Sequence, residues 1–94
     1  MEKLHGEVVT LLTVAGEIVG RLKSTEGDTI IIEDPRLIMQ SSETTMGFAP
    51  GYCMSGEVKP TEGVFFKGTL VSILKTSDDI SKEWVRHTSG IILQ

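Results

Sequence analysis

VFFKGTLVSIL, residues 64–74, decides how the chain is read. Two apolar runs, Val64 to Phe66 and Leu70 to Leu74, are split by Lys67 and Gly68. A cation and a glycine inside one apolar stretch mark the end of one strand and the start of the next. The plain reading of the dipeptide is a tight turn with a solvated lysine. The sharper reading is a kink that holds a ligand.

Working outward, the N-terminal half has the texture of strands. Val8 to Val14 is apolar and β-branched, Ala15 and Gly16 punctuate it, and Glu17 to Lys23 alternates. That spacing predicts a hairpin. Gly20 lies inside the second strand, where glycine is unfavourable unless the strand bends or another backbone comes close. Residues 24–28 read as a second turn, with Gly27 able to take positive φ. Residues 29–34 read as a third strand, whose continuous isoleucines suggest burial on both faces. Pro35 marks a bulge, an edge or a break, with Arg36 to Met39 continuing the strand beyond it.

Residues 40–63 are rich in Ser, Thr, Gly and Pro and lose the apolar period, which predicts a long loop or a protruding hairpin. After residues 64–76, Ile80, Trp84, Thr88 and Ile91 recur at helical spacing. Ser77 or Asp78 caps this helix and Gly90 ends it. Trp84 reads as the anchor that docks it.

The totals bound the answer. Ninety-four residues make a single domain over 1–94. Its parts are 7–39 for three strands, 40–63 for the loop, 64–76 for two strands and 77–94 for helix and tail. Net charge is −4, and no Lys/Arg-rich run occurs, which disfavours duplex DNA as a partner. One cysteine, Cys53, leaves no disulfide framework and suits a reducing, cytoplasmic setting. The N-terminus, MEKLHGEVV, lacks an apolar run of signal-peptide length and no stretch approaches a membrane span, so a soluble chain is expected.

Catalytic and metal signatures are missing. His5 and His87 are far apart, no Cys/His/carboxylate spacing suits a metal, and no nucleophile or phosphate-loop motif is present. The expectation is a protein that is not an enzyme and has no cofactor. Phe48, Tyr52 and Met54 in the long loop can stack on bases or pack the loop, and packing is the favoured reading.

Taken in order, the strands resemble the Sm/LSm (Sm-like, Hfq-related) RNA-binding family. The resemblance rests on VVTLLTVAGEIVGRLKSTEGDTIIIED, with Gly16 in the turn, Gly20-Arg21-Leu22 and the acidic Glu26. It rests equally on Val64-Phe65-Phe66-Lys67-Gly68-Thr69-Leu70-Val71 and on the variable segment between the two. Ile30 stands where many members have a base-contacting Asn, and the rim loop offers no stacking residue. The resemblance implies an all-β fold: a small, strongly bent five-stranded antiparallel barrel with a short C-terminal helix. It implies a homo-oligomeric ring of six or seven subunits, closed by pairing fourth and fifth strands. Single-stranded RNA would lie at the inner rim against Lys67, Gly68, Glu26, Gly27 and Asp28, with Glu26 alternatively pairing with Lys67. A structural ring without RNA binding and a protein-binding β-barrel adaptor are the alternatives.

Overall fold

The computed structural model describes residues 2–40, 42–53 and 55–89. After a short 3₁₀ turn at Glu2–Leu4, β1 (Val8–Thr13), β2 (Gly16–Glu26) and β3 (Thr29–Gln40) form an antiparallel meander. A short β4 (Met46–Phe48), then β5 (Glu62–Phe66), β6 (Leu70–Lys75) and the helix α1 (Asp78–Thr88) follow. The neighbour order is β4-β3-β2-β1-β6, and β5 also pairs with β3.

Strand β3 organises this layout. Twelve residues long, it takes β5 along Thr29 to Glu33 and β4 along Ile38 to Gln40, with β2 as its other neighbour. Pro35 does not end it. The register with β2 slips by one residue there: Val19 faces Arg36 while Arg21 faces Glu33, so Gly20 alone faces Asp34 and Pro35. Such a bulge is where a proline without an N–H fits inside a strand. Asp34 takes φ +49° at this point, and its N–H donates to the Thr61 carbonyl at 2.9 Å. A second slip, between Leu22 and Ser24, gives β2 its own bulge, after which the strand runs on to Glu26. The turn is thus only Gly27 and Asp28, with Gly27 at φ +56°.

Side-chain alternation builds two clusters. Val9, Leu11, Ile18, Leu22, Ile30 and Ile32 form the larger one, joined by Phe65 from β5 and Ile73 from β6. Ile31 is only half-buried, so the isoleucine run is covered fully on one face alone. Val8, Val19 and Trp84 form the smaller cluster, with Ile38, Phe48 and Ile80 packed against it. The helix docks there: Trp84 is buried and its indole Nε1–H donates to the Asp34 carbonyl at 3.0 Å. Asp78 and Asp79 in the first turn and Arg86 and His87 in the last complement the helix dipole. Ser77 is the N-cap residue without a side-chain capping bond, and Ser89 is the C-cap. Gly90 and Ile91, expected to end and extend the helix, lie outside the described residues, as does Met54.

The expectation of a five-stranded closed barrel is corrected. Among the described residues the sheet has six strands and is open. Among the described residues, β5 pairs only with β3 and β6 only with β1, and no ladder joins the two. The 3₁₀ turn Lys67–Thr69 carries the chain from one edge to the other without closing it. The physical reason is the length of β3, which seats β4 and β5 end to end on one side and makes that side an edge. With the barrel fall the Sm-like reading, the ring of six or seven subunits, the RNA held at its rim, and the ring-scaffold and barrel-adaptor alternatives.

Among the described residues no helix is long and apolar enough to cross a membrane.

Candidate functional site

The five residues singled out from sequence do meet in one corner. Glu26 ends β2, Gly27 and Asp28 make the turn into β3, and Lys67 and Gly68 start the 3₁₀ turn after β5. The Lys67 N–H donates to the Asp28 carbonyl at 2.8 Å, and its ammonium Nζ donates to the Gly27 carbonyl at 2.7 Å. Lys67 therefore laces two turns together through backbone carbonyls, and Glu26 is not its partner. A Cβ added to Gly68 would meet nothing within 4 Å, so this glycine serves no close backbone approach. The lysine-glycine break is thus a change of sheet edge.

The exposed feature next to this corner is the outer edge of β5. Its ladder to β3 runs without a register shift from Thr29↔Phe66 to Glu33↔Glu62. With a two-residue period, Phe65 and Gly63 face inward and Glu62, Val64 and Phe66 share the other face. Val64 and Phe66 are 55% and 56% exposed. Among the described residues no strand pairs with the far side of β5, so a row of backbone N–H and C=O groups lies open there. The opposite edge, β6, is less regular. Its register with β1 slips between Leu12 and Thr13, which leaves Val71 without a facing residue, and Lys75 pairs with Glu7 at 3.5 Å.

The long loop fixes β5 from behind. The Tyr52 ring packs on Phe65 at a tilt of 41° with centroids 5.1 Å apart, and a Cβ on Gly63 would lie 2.6 Å from the Tyr52 hydroxyl oxygen. Phe48 packs with the smaller cluster and lies 5.7 Å from the His87 ring. Both loop aromatics are therefore packing residues, as favoured from sequence. At the start of β5, Glu62 and Glu33 face each other, an unfavourable pairing of like charges. The Lys23 ammonium answers it. It bonds the Glu62 carboxylate, which raises the lysine pKa through that bond first and the charge attraction second, with Glu33 adding to it.

Arg36 went unnoticed in the sequence. Its guanidinium is buried and donates from Nη1 to the Pro35 carbonyl at 2.9 Å and the Pro60 carbonyl at 3.0 Å, with Asp34 Oδ1 3.9 Å from Nη2. Burial pulls its pKa below the usual value, and the Asp34 carboxylate opposes that shift. Arg36 is the clamp that holds the loop against β3 just before β5 begins. Arg36→Met is expected to lower unfolding stability by about 2 kcal/mol, because a buried carbonyl of the loop loses its charged donor. Urea unfolding reads this, and a loss below about 0.5 kcal/mol would remove the clamp role.

Cys53 is exposed and free. Hydrogen bonds from Ser55, through its backbone first and then its hydroxyl, and from the Gly56 backbone hold its thiol below the usual pKa. Among the described residues no group of three His, Cys, Asp or Glu side chains is placed to hold a metal ion. A groove of about 430 Å³ lies between α1 and the β3–β4 hairpin, with Ile38, Phe48 and Ile80 on its walls. No protein-family model matches the chain, and no curated protein matches it.

Proposed function

We propose that this chain is a non-catalytic protein-binding domain that takes an extended segment of another protein as an added strand on the outer edge of β5. The observation that carries this reading is the regular edge of β5, unpaired among the described residues, with Val64 and Phe66 more than half exposed. An edge of this kind satisfies its backbone groups by accepting a strand, and apolar side chains at alternate positions add affinity. Burying two such side chains further is worth about 1 to 2 kcal/mol, beyond the ladder itself. The corner at Lys67 and the loop held by Arg36 keep both ends of β5 in place, so little order is lost on binding. The single cysteine supports an intracellular, cytoplasmic setting for this work.

The test is an NMR titration with a short soluble peptide that alternates Val and Thr. Binding is expected to slow amide hydrogen exchange across 62–66 and to leave β6 unchanged. Val64→Lys should weaken it about tenfold, since a charge replaces an apolar cross-strand contact. An unchanged affinity in that variant, or protection confined to β6 or α1, would overturn the reading. So would self-association of the free protein through this same edge, because the occupant would then be a second copy.

A further inference from the structure

The ladder between β3 and β5 fixes which backbone groups of β5 are free. Just beyond its ends, the Asp34 N–H donates to the Thr61 carbonyl at 2.9 Å and the Lys67 N–H to the Asp28 carbonyl at 2.8 Å. Hydrogen-bonded and non-hydrogen-bonded pairs alternate along an antiparallel ladder. Counting inward from either end gives the same phase, because the register is unbroken from Thr29↔Phe66 to Glu33↔Glu62. Ile30↔Phe65 and Ile32↔Gly63 are therefore the hydrogen-bonded pairs. Glu62, Val64 and Phe66 turn their N–H and C=O groups the other way, toward the free side.

These groups are not equivalent. After Phe66 the chain enters the 3₁₀ turn Lys67–Thr69, and the Thr69 hydroxyl donates to the Phe66 carbonyl at 2.7 Å. That carbonyl already has a donor, so a further one gains little there. The Phe66 N–H stays open, as do both groups of Val64. The edge thus offers a full hydrogen-bonded pair at Val64 and half of one at Phe66.

Resting on the strand-addition reading above, we propose that the partner segment lies antiparallel to β5, with its first residue beside Phe66, and that this first residue needs no N–H. Every ladder of the sheet is antiparallel, and that mode is the more stable per residue. In it the first, third and fifth partner residues face Phe66, Val64 and Glu62 as hydrogen-bonded pairs. The third exchanges two bonds with Val64 and must keep its N–H. The first accepts the Phe66 N–H, while its own N–H meets the carbonyl that Thr69 serves. Proline fits this first position. It lacks the donor, it is at home at the start of an edge strand, and its ring is apolar against Phe66. The segment so admitted reads Pro-x-apolar from its N-terminus.

The probe is the peptide Val-Thr-Val-Thr-Val with blocked ends, N-methylated at one residue at a time, so that each N–H is lost while its side chain stays. Methylation of the third residue is expected to weaken binding about tenfold, and of the first or second less than about twofold. Thr69→Val, at an exposed turn position, frees the Phe66 carbonyl. In that variant methylation of the first residue should also weaken binding several-fold. A loss at the second residue instead of the third means a parallel segment, whose donors fall at the alternate positions, and overturns the inference. Equal losses at the first and third residues in the unaltered protein, or no effect of Thr69→Val, overturn the role given to the Phe66 carbonyl. In each of these cases slowed exchange across 62–66 leaves the strand-addition reading standing. Failure of every peptide to protect 62–66 overturns that reading, and this inference with it.

Discussion

Trp84→Ala is expected to lower the unfolding free energy by about 4 kcal/mol, the upper range for removing a buried aromatic side chain. Trp84 is 3% exposed and is the only fully buried residue of α1. Its ring packs with Val8 and Val19 of the sheet, and Arg21 places its guanidinium carbon 5.5 Å from the ring centroid. Alanine would leave a hollow under the helix too large to close by side-chain shifts. It would also strip the Asp34 carbonyl of the indole donor, at the bulge of β3 where Asp34 takes a positive φ. Trp84→Phe separates the two contributions. It keeps most of the apolar contact and loses the hydrogen bond, so about half the cost is expected. Urea unfolding followed by circular dichroism gives both values. A loss below about 1 kcal/mol for Trp84→Ala would mean that α1 is held by something other than this side chain.

What sequence could and could not disclose follows the range of each interaction. The β1–β2 hairpin, the turn at Gly27 and the α1 helix are local, and periodicity with turn chemistry displays them. The docking of Trp84 was legible too, because a lone tryptophan on the apolar stripe of a short helix has few other uses. Closure of the sheet was not. Whether β5 and β6 pair depends on where β3 seats its partners, and the β3–β5 ladder joins residues more than twenty apart in sequence. Arg36 was passed over for a similar reason. Its burial depends on the Pro60 carbonyl, 24 residues away, and an arginine after proline gives no local sign of that.

The candidate site shows the same division. Lys67 and the Gly27 turn were singled out together, and they do touch. The lysine ammonium is tied to a backbone carbonyl, which makes it a brace between the two turns. The exposed edge was hidden because Val64, Phe65 and Phe66 look alike as letters. Only the pairing of β5 with β3 assigns Phe65 to the core and its two neighbours to solvent.

Gly20→Val is expected to cost about 3 kcal/mol or more, and it tests the feature that makes the open sheet what it is. Gly20 faces the bulge of β3, and a Cβ there would lie 2.3 Å from Ile32 Cγ2, 2.7 Å from the Glu33 carbonyl oxygen and 3.3 Å from Pro35 Cα. Two of these three atoms belong to backbone, which cannot swing aside as a side-chain end can. The strand would have to part from its neighbour at the point where β3 passes Pro35. Overpacking of a tight site costs about 1 to 3 kcal/mol, and a branched side chain against backbone falls at the top of that range. Gly20→Ala carries the same Cβ without the branches and should cost about 2 kcal/mol. The two substitutions also bear on function. A strand β3 that loses its bulge moves Asp34 away from Thr61 and from the indole of Trp84, loosening the entry to β5 and the seat of α1 together. Peptide binding at β5 should therefore weaken in Gly20→Ala even where the protein remains folded. Full stability in Gly20→Val would show that the bulge can relax without cost, and β5 would then owe its position to its own ladder with β3 alone.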